Sequence, residues 1–244
     1  MRIPRIYTAQ LLQGNASIEL EPGPSQHIAR ALRMRAGDQL ILFNGRGGEY
    51  PAEITAIDKK TVAVSTRSQE MLECESHLAI HLGIAVSRGD RMDWIVQKAT
   101  ELGVYQVAPL FTERTEVKLR GERADKKTRH WQQIANSACE QCGRNRVPTI
   151  HPLQTLDSWL SATRAEQKFV LHHRPDSALG TSQEPGSIAL LVGPEGGLST
   201  LEIEAAVRAG YQSMRLGPRV LRTETAPLAA IAILQARWGD MQPQ

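Results

Sequence analysis

Gly193-Pro194-Glu195-Gly196-Gly197 carries three glycines and a proline in five residues, and so leaves almost no side chain in its turn. A ligand could lie directly against such a main chain. The Lys-Ser/Thr ending of a phosphate loop is missing, and the glycine spacing is not that of a dinucleotide fingerprint. Glu195 and Glu202 add carboxylates where a phosphate would need positive potential. A neutral or cationic ligand suits this turn better than an anion, and a tight turn with no ligand is the plain alternative. A second cluster lies about twenty residues on, in Leu216–Gln235. There Gly217-Pro218 is followed by Arg219 and Arg222 flanking Val220-Leu221, and then by Thr223-Glu224-Thr225. Two arginines and a glutamate crowded before an apolar helix are either solvated at a rim or working in a pocket.

The elements that must hold these residues can be read from local pattern. Ile188–Val192 is an apolar run that predicts a fully buried strand ahead of the glycine turn. Ser199 and Glu202 form a capping box for the following helix, with Leu198 stapling onto Ile203. Met214 to Leu216 reads as the end of another strand, and Pro227 falls in the first turn of the last helix, where proline is tolerated. Upstream, Ile80–Val86 and Val104–Leu110 predict strands. Asp90–Leu102 predicts an amphipathic helix with Met92, Ile95, Val96, Ala99 and Leu102 on one face. Asp125–Cys142 predicts a long helix and Lys168–His172 a further strand. Strands alternating with helices imply an α/β domain with a mainly parallel sheet.

The first 70 residues read differently. Short strands are expected at Arg5-Ile6-Tyr7, Gln39–Phe43, Tyr50–Ile57 and Thr61–Thr66, with a short basic helix over Ser25–Met34 and a hairpin-type connection at Asn44–Gly48. This suits a small, mostly antiparallel barrel. The polar stretch Arg67–Ser76 reads as the linker, which divides the chain into 1–70, a junction at 71–76, and 77–244. Arg2, Arg5, Arg30, Arg33, Arg35 and Arg46 are singly ordinary surface charges. As a set they suggest a patch that neutralises phosphates.

Bulk properties narrow the classes. The 244 residues carry a net charge of +3, mildly basic and compatible with RNA. Aromatics make up 5% of the chain, too few for an aromatic platform to be the main recognition device. The sequence has no stretch of membrane-span length and no signal-peptide core at its start, so a cytoplasmic chain is expected. Cys139 and Cys142 are spaced as C-x-x-C, but they sit in a helical pattern with Cys74 far away and no second pair, so no metal is expected.

GPEGGLS followed by LGPRVLRTETA resembles the knotted SPOUT methyltransferases, most closely the RsmE group, which methylates N3 of a uridine in 16S ribosomal RNA. The opening MRIPRIY, the segment HIARALRMRAGDQLILFNGRGGEY, Lys98–Val104 and Ser137–Pro148 extend the resemblance over nearly the whole chain. It implies a C-terminal domain threading a trefoil knot, an N-terminal PUA-like β-barrel, bound S-adenosylmethionine, and a homodimer with its active site at the interface. The implied substrate is 16S rRNA or the assembled small subunit, in its decoding region.

The resemblance also assigns roles. Main-chain groups of Leu191–Gly197 (Leu191, Gly193, Pro194, Glu195, Gly196 and Gly197) and of Leu216–Leu221 (Leu216, Gly217 and Leu221), with Thr223, would hold the cofactor. His173 would contact its methionine end. Arg144 and Arg146 would grip RNA. The imide N3 of uracil is a poor nucleophile while protonated, so a base or a cation must assist. Glu224 is the first candidate for base and Glu195 its rival, with Arg222 or Arg219 stabilising charge on the uracil oxygens. A ribose 2′-O-methylating relative and a non-catalytic RNA-binding assembly factor are the alternative readings.

Overall fold

The computed structural model describes residues 3–172 and 184–242, so Arg2 and His173 lie outside the described residues. The chain forms two compact units, Met1–Glu75 with Asn136–Val147, and Ser76–Ala135 with Pro148–Gln244.

The first unit is built on strands β1 (Arg5–Tyr7), β2 (Ser17–Glu19), β3 (Gln39–Phe43), β4 (Tyr50–Ile57) and β5 (Val62–Thr66), in the order β1-β3-β4-β5-β2. β1 runs parallel to β3 and the other pairings are antiparallel. The side-chain period of two sends Leu40, Leu42, Ala52, Ile54, Val62 and Val64 into one core, joined there by Ile6, Leu20 and Ile28. The expected basic helix is a short α1 (Pro22–Gln26), starting on proline, that continues as a wider turn over His27–Ala31.

The stretch read as a linker is tied into this unit. Arg67 N donates to Pro51 O at 2.7 Å, and Glu49 and Glu70 exchange main-chain hydrogen bonds of 2.8 Å. The segment Asn136–Val147 joins the same unit because its polar groups are spent there, with Tyr7 N donating to Glu140 Oε1 at 2.9 Å. Sequence periodicity reads a helix but not which core receives each of its turns.

The second unit is a wholly parallel seven-stranded sheet. Its elements are β6 (Ala79–Ala85), α2 (Arg91–Glu101), β7 (Val104–Phe111), α3 (Glu122–Cys142, whose last turns from Asn136 belong to the first unit), β8 (Thr149–Ile150), β9 (Gln154–Thr155), α4 (Leu156–Ala162), β10 (Gln167–Leu171), β11 (Ser187–Val192), α5 (Thr200–Arg208), β12 (Gln212–Met214) and α6 (Thr225–Trp238). The strand order is β12-β10-β11-β6-β7-β8, with β9 also pairing β7. β11 and β6 lie centrally and are apolar on both faces, as strands covered by helices must be. β8, β9 and α4 are not legible in the sequence, because two-residue strands and a helix of seven residues show too little of a period. Yet α4 delivers Trp159, which packs so closely on Gly83 that a β-carbon there would come within 2.6 Å of its ring. The connection from β10 to β11, where the resemblance places a knot loop, includes residues outside those described.

Candidate active site

Parallel strands end together, and the carboxyl ends of β10, β11 and β12 open onto one cavity of about 300 Å³. Past β11, Gly197 N donates to Pro194 O at 2.8 Å and closes the turn, with Gly197 at a φ of +68°. Leu198 then folds back over Gly193, where a β-carbon would meet Leu198 N at 2.9 Å. Ser199 and Glu202 make the capping box that starts α5. The second oxygen of Glu202 accepts from Glu113 N at 2.7 Å, so this carboxylate is committed to structure. Past β12, Arg215 Nε donates to Gly217 O at 2.9 Å, and Gly217 turns the chain at a φ of +70°.

Gly193, Pro194, Glu195, Gly196, Gly197, Leu216, Gly217, Arg219, Leu221 and Thr223 all line this cavity. Leu191 does not. It is wholly buried in the hydrophobic cluster with Leu160, Ala206 and Tyr211, and the alternation of β11 gives the cavity Val192 instead. His173 falls outside the described residues, and its neighbour His172 is on the wall. Arg114 is a wall residue that the sequence reading missed. Its Nη1 donates to Gly196 O at 2.8 Å, and no local motif marks it because it comes from the loop after β7.

A wider cleft of about 660 Å³ is bordered by the same Glu195 and contains Glu224, Arg88, Asp90, Arg91, Trp94 and Glu116. Arg91 Nη1 lies 2.8 Å from Glu195 Oε1, and its Nε lies 3.6 Å from Glu224 Oε2. Arg88 N also donates to Glu195 at 3.2 Å, while the Arg88 side chain pairs with Glu116. Burial works against the charge of Glu195. Hydrogen bonds from its own turn, from the Arg88 main chain and from the Arg91 side chain outweigh that and hold its carboxyl below the ordinary range. Glu224 differs: its Oε2 is buried and has no hydrogen-bond partner among the described residues. Arg222 lines neither cavity and is exposed. Its carbonyl accepts from Thr225 N and Ala226 N, both at 2.9 Å, to start α6, so its main chain is used while its side chain faces solvent.

The basic residues of the first unit divide in two. Arg30, Arg33, Arg35 and Arg46 are exposed, and Arg146 is more than half exposed with a long 3.9 Å pairing to Glu73. Arg5 and Arg144 are buried and paired, which corrects their expected place on an open surface. Arg5 is clamped by Glu49 and donates to Asn145 Oδ1 at 2.5 Å. Arg144 grips both oxygens of Glu75, at 2.9 and 2.6 Å. Burial works against the charge of Arg144, and the Glu75 carboxylate outweighs it. A guanidinium taken out of water needs such partners, which leaves little of it for a ligand. Among the described residues no group of three or more His, Cys, Asp or Glu side chains is placed to hold a metal, and no helix is long and apolar enough to cross a membrane.

An α/β sheet with a glycine-turn cavity at its carboxyl ends, beside an exposed carboxylate–arginine cleft, is matched by an RNA methyltransferase domain family over residues 74–235. An RNA methyltransferase PUA domain family matches residues 25–66. Ribosomal RNA small subunit methyltransferase E of Buchnera aphidicola (subsp. Schizaphis graminum) is 37% identical over 243 residues, 98% of each chain. Its Bacillus subtilis counterpart is 32% identical over 237 residues, 93% of each. The Neisseria gonorrhoeae enzyme of that name, solved with S-adenosylmethionine bound, is 39% identical with a TM-score of 0.93, covering 99% of this chain and 100% of that one. A methyltransferase of Legionella pneumophila, also solved with its cofactor bound, is 41% identical with a TM-score of 0.94 over 98% of this chain and 100% of that one. The chain belongs to the ribosomal RNA small subunit methyltransferase E family.

Proposed function

We propose that this protein transfers the methyl group of S-adenosylmethionine to N3 of a uridine in small-subunit ribosomal RNA. The observation that carries the reading is the meeting of two side-chain-poor turns in one cavity, with a carboxylate in the cleft next door whose Oε2 makes no hydrogen bond among the described residues. The cavity suits that donor. At Gly197 and Gly217 a β-carbon would meet nothing within 4 Å, so both turns present open main chain. Leu171, Val192, Met214 and Leu221 give an apolar wall for a nucleoside, and Arg114, Arg219 and Glu195 supply charges for an amino-acid end.

Once bound, the donor supplies a methyl group on a sulfonium, whose carbon–sulfur bond gives its electron pair to sulfur as the nitrogen–carbon bond forms. The protein's own work is positioning and proton transfer. Glu224 takes the N3 proton, because its Oε2 has no competing hydrogen bond. Glu195 is a poorer base, since Arg91 and two main-chain N–H groups already stabilise its charge. Its part is to hold the glycine turn against α2 through Arg91. Arg219 stabilises negative charge from the cavity side. The exposed Arg30, Arg33, Arg35, Arg46 and Arg146 bind RNA phosphates. The trefoil knot, the homodimer with its shared active site and a cytoplasmic location belong to the same proposal, on the family resemblance.

The test is to incubate purified small ribosomal subunits from a strain lacking this methylation with labelled S-adenosylmethionine, and then to digest the RNA and map the label. Label on N3 of one uridine supports the reading. Label on a ribose 2′ oxygen, or none at all with cofactor bound, refutes it.

A further inference from the structure

Arg91 and Trp94 lie beside the proposed base, yet nothing so far gives them contact with a substrate. With Lys98 they follow one another at i, i+3 and i+7, so they lie along one side of α2, while Met92, Ile95, Val96 and Ala99 fill the core from the other. Trp94 is 51% exposed, whereas Trp131, Trp159 and Trp238 are 2%, 3% and 5% exposed. Lys98 Nζ stands 5.1 Å from the centre of the Trp94 ring. A half-exposed indole with a cation over one side, on the wall of a cleft, is suited to stacking a planar base on its other side.

Charge and hydrogen-bonding capacity decide what that cleft accepts. Its walls carry Arg88 and Arg91 against Asp90, Glu116, Glu195 and Glu224, more carboxylates than cations, so it disfavours a phosphate and admits a neutral base. Arg91 offers five N–H donors, and among the described residues its one close partner is Glu195 Oε1 at 2.8 Å, with Glu224 farther off at 3.6 Å. Beside it, Glu224 Oε2 is an acceptor with no hydrogen bond among the described residues. A carboxylate next to a guanidinium complements an N–H next to a carbonyl. Uracil offers that pair at N3 and its flanking oxygens. Cytosine has no proton at N3, and its ring nitrogen would face the carboxylate lone pairs.

We propose that this cleft is the subsite for the target pyrimidine: Trp94 stacks on the ring, and Arg91 holds a uracil carbonyl and stabilises the anion formed when Glu224 takes the N3 proton. The subsite rests on the methyltransferase reading above. Arg91 acts directly on the base and also holds Glu195, so its test needs a readout that a purely structural brace would not move.

That test is single-turnover methylation of unmethylated small subunits by the full chain at saturating S-adenosylmethionine, across pH, with cofactor affinity measured by calorimetry. Trp94→Ala weakens the apparent affinity for subunits roughly five- to a hundredfold, with Trp94→Phe recovering most of it. Arg91→Lys, which keeps the charge but loses the planar fork, lowers the maximal rate about tenfold or more. It also moves the rate profile to higher pH, because the uracil anion has lost stabilisation. Cofactor affinity is unchanged in both Trp94 variants, and the rate loss in Arg91→Lys persists at saturating S-adenosylmethionine. Wild-type rates and affinities in Trp94→Ala and Arg91→Lys overturn the subsite while leaving the methyltransferase reading intact. An Arg91→Lys rate that returns to wild type once S-adenosylmethionine is saturating also overturns it, by making Arg91 only a brace for the glycine turn. Failure of the wild-type protein to methylate any RNA sinks the underlying reading instead.

Discussion

Two arginine–carboxylate clusters in this chain use the same chemistry to opposite ends. In the first unit Arg5, Glu49, Asn145, Arg144 and Glu75 are largely buried and bonded to one another, with Arg144 and Glu75 joined by two hydrogen bonds. In the second unit Arg91, Glu195 and Glu224 have side chains 30–40% exposed, one close contact of 2.8 Å, one of 3.6 Å, and one buried oxygen with no hydrogen bond. Both clusters hold one buried atom without a hydrogen bond among the described residues, Arg5 Nε in the first and Glu224 Oε2 in the second. A network shut away from water fixes a fold, because disturbing any member strands a charge there. One that opens on a cleft keeps capacity for a ligand. Residue type alone does not separate the two; access to solvent does, at 5–19% side-chain exposure for the two ion pairs of the first and 30–40% for those of the second.

The sharpest way to break this contrast is Glu224→Gln. Methyl transfer should fall by about 10²–10⁴, with cofactor affinity and thermal midpoint near wild type, since the amide keeps the shape and loses the basicity. Undiminished single-turnover rates across pH would remove Glu224 as the base.

The opposite pattern is expected at Arg144→Met, which strands the Glu75 carboxylate. Denaturant unfolding of the first unit should show a loss of about 3–5 kcal/mol, with cofactor binding retained. Adding Glu75→Leu removes the stranded charge as well and should restore much of that stability. A double variant as weak as the single one would mean that the pair contributes more than mutual neutralisation.

Within the cavity the glycines should split. Gly197→Val and Gly217→Val place a β-branched residue at positive φ in open space, costing roughly 1–2 kcal/mol of backbone strain and blocking the cavity. Calorimetry should show cofactor affinity falling more than stability. Gly193→Ala collides with Leu198 N and should cost stability first, read as a lower midpoint.

The smallest effect concerns acid. The Glu195 carboxyl is held below its ordinary value in the folded protein. Its stabilising contribution is therefore complete above the unfolded carboxylate pKa and is lost as pH falls through the lowered folded value. Partial exposure limits it to under about 1 kcal/mol. Glu195→Gln should flatten that acid-side slope slightly, and a steeper slope would contradict the assignment.

Much of this architecture was legible because it is locally encoded. β11 is an unbroken apolar run, Ser199 and Glu202 stand at capping-box spacing, and α2 shows its core face every three to four residues. The glycine turns were equally plain, and nine of the eleven cofactor-binding candidates do line the cavity. Leu191 turns into the core and Val192 reaches the cavity wall, because a run apolar on both faces does not say which residue ends at the rim. Arg5 and Arg144 looked like surface charges because burial of an arginine depends on Glu49, Asn145 and Glu75, which lie far from one another along the chain.

Composition, periodicity and glycine spacing, which act over a few residues, were enough to determine an α/β sheet, its capped helices and two bends of bare main chain. Only the folded chain decided that the bends share one cavity, that Glu195 is spent on Arg91 while Glu224 stays available, and that Trp94 stands in water at the cleft. The reason is physical. Conformational preference is a property of neighbours in sequence, whereas charge pairing and solvent access are set by whatever the fold brings within a few ångströms.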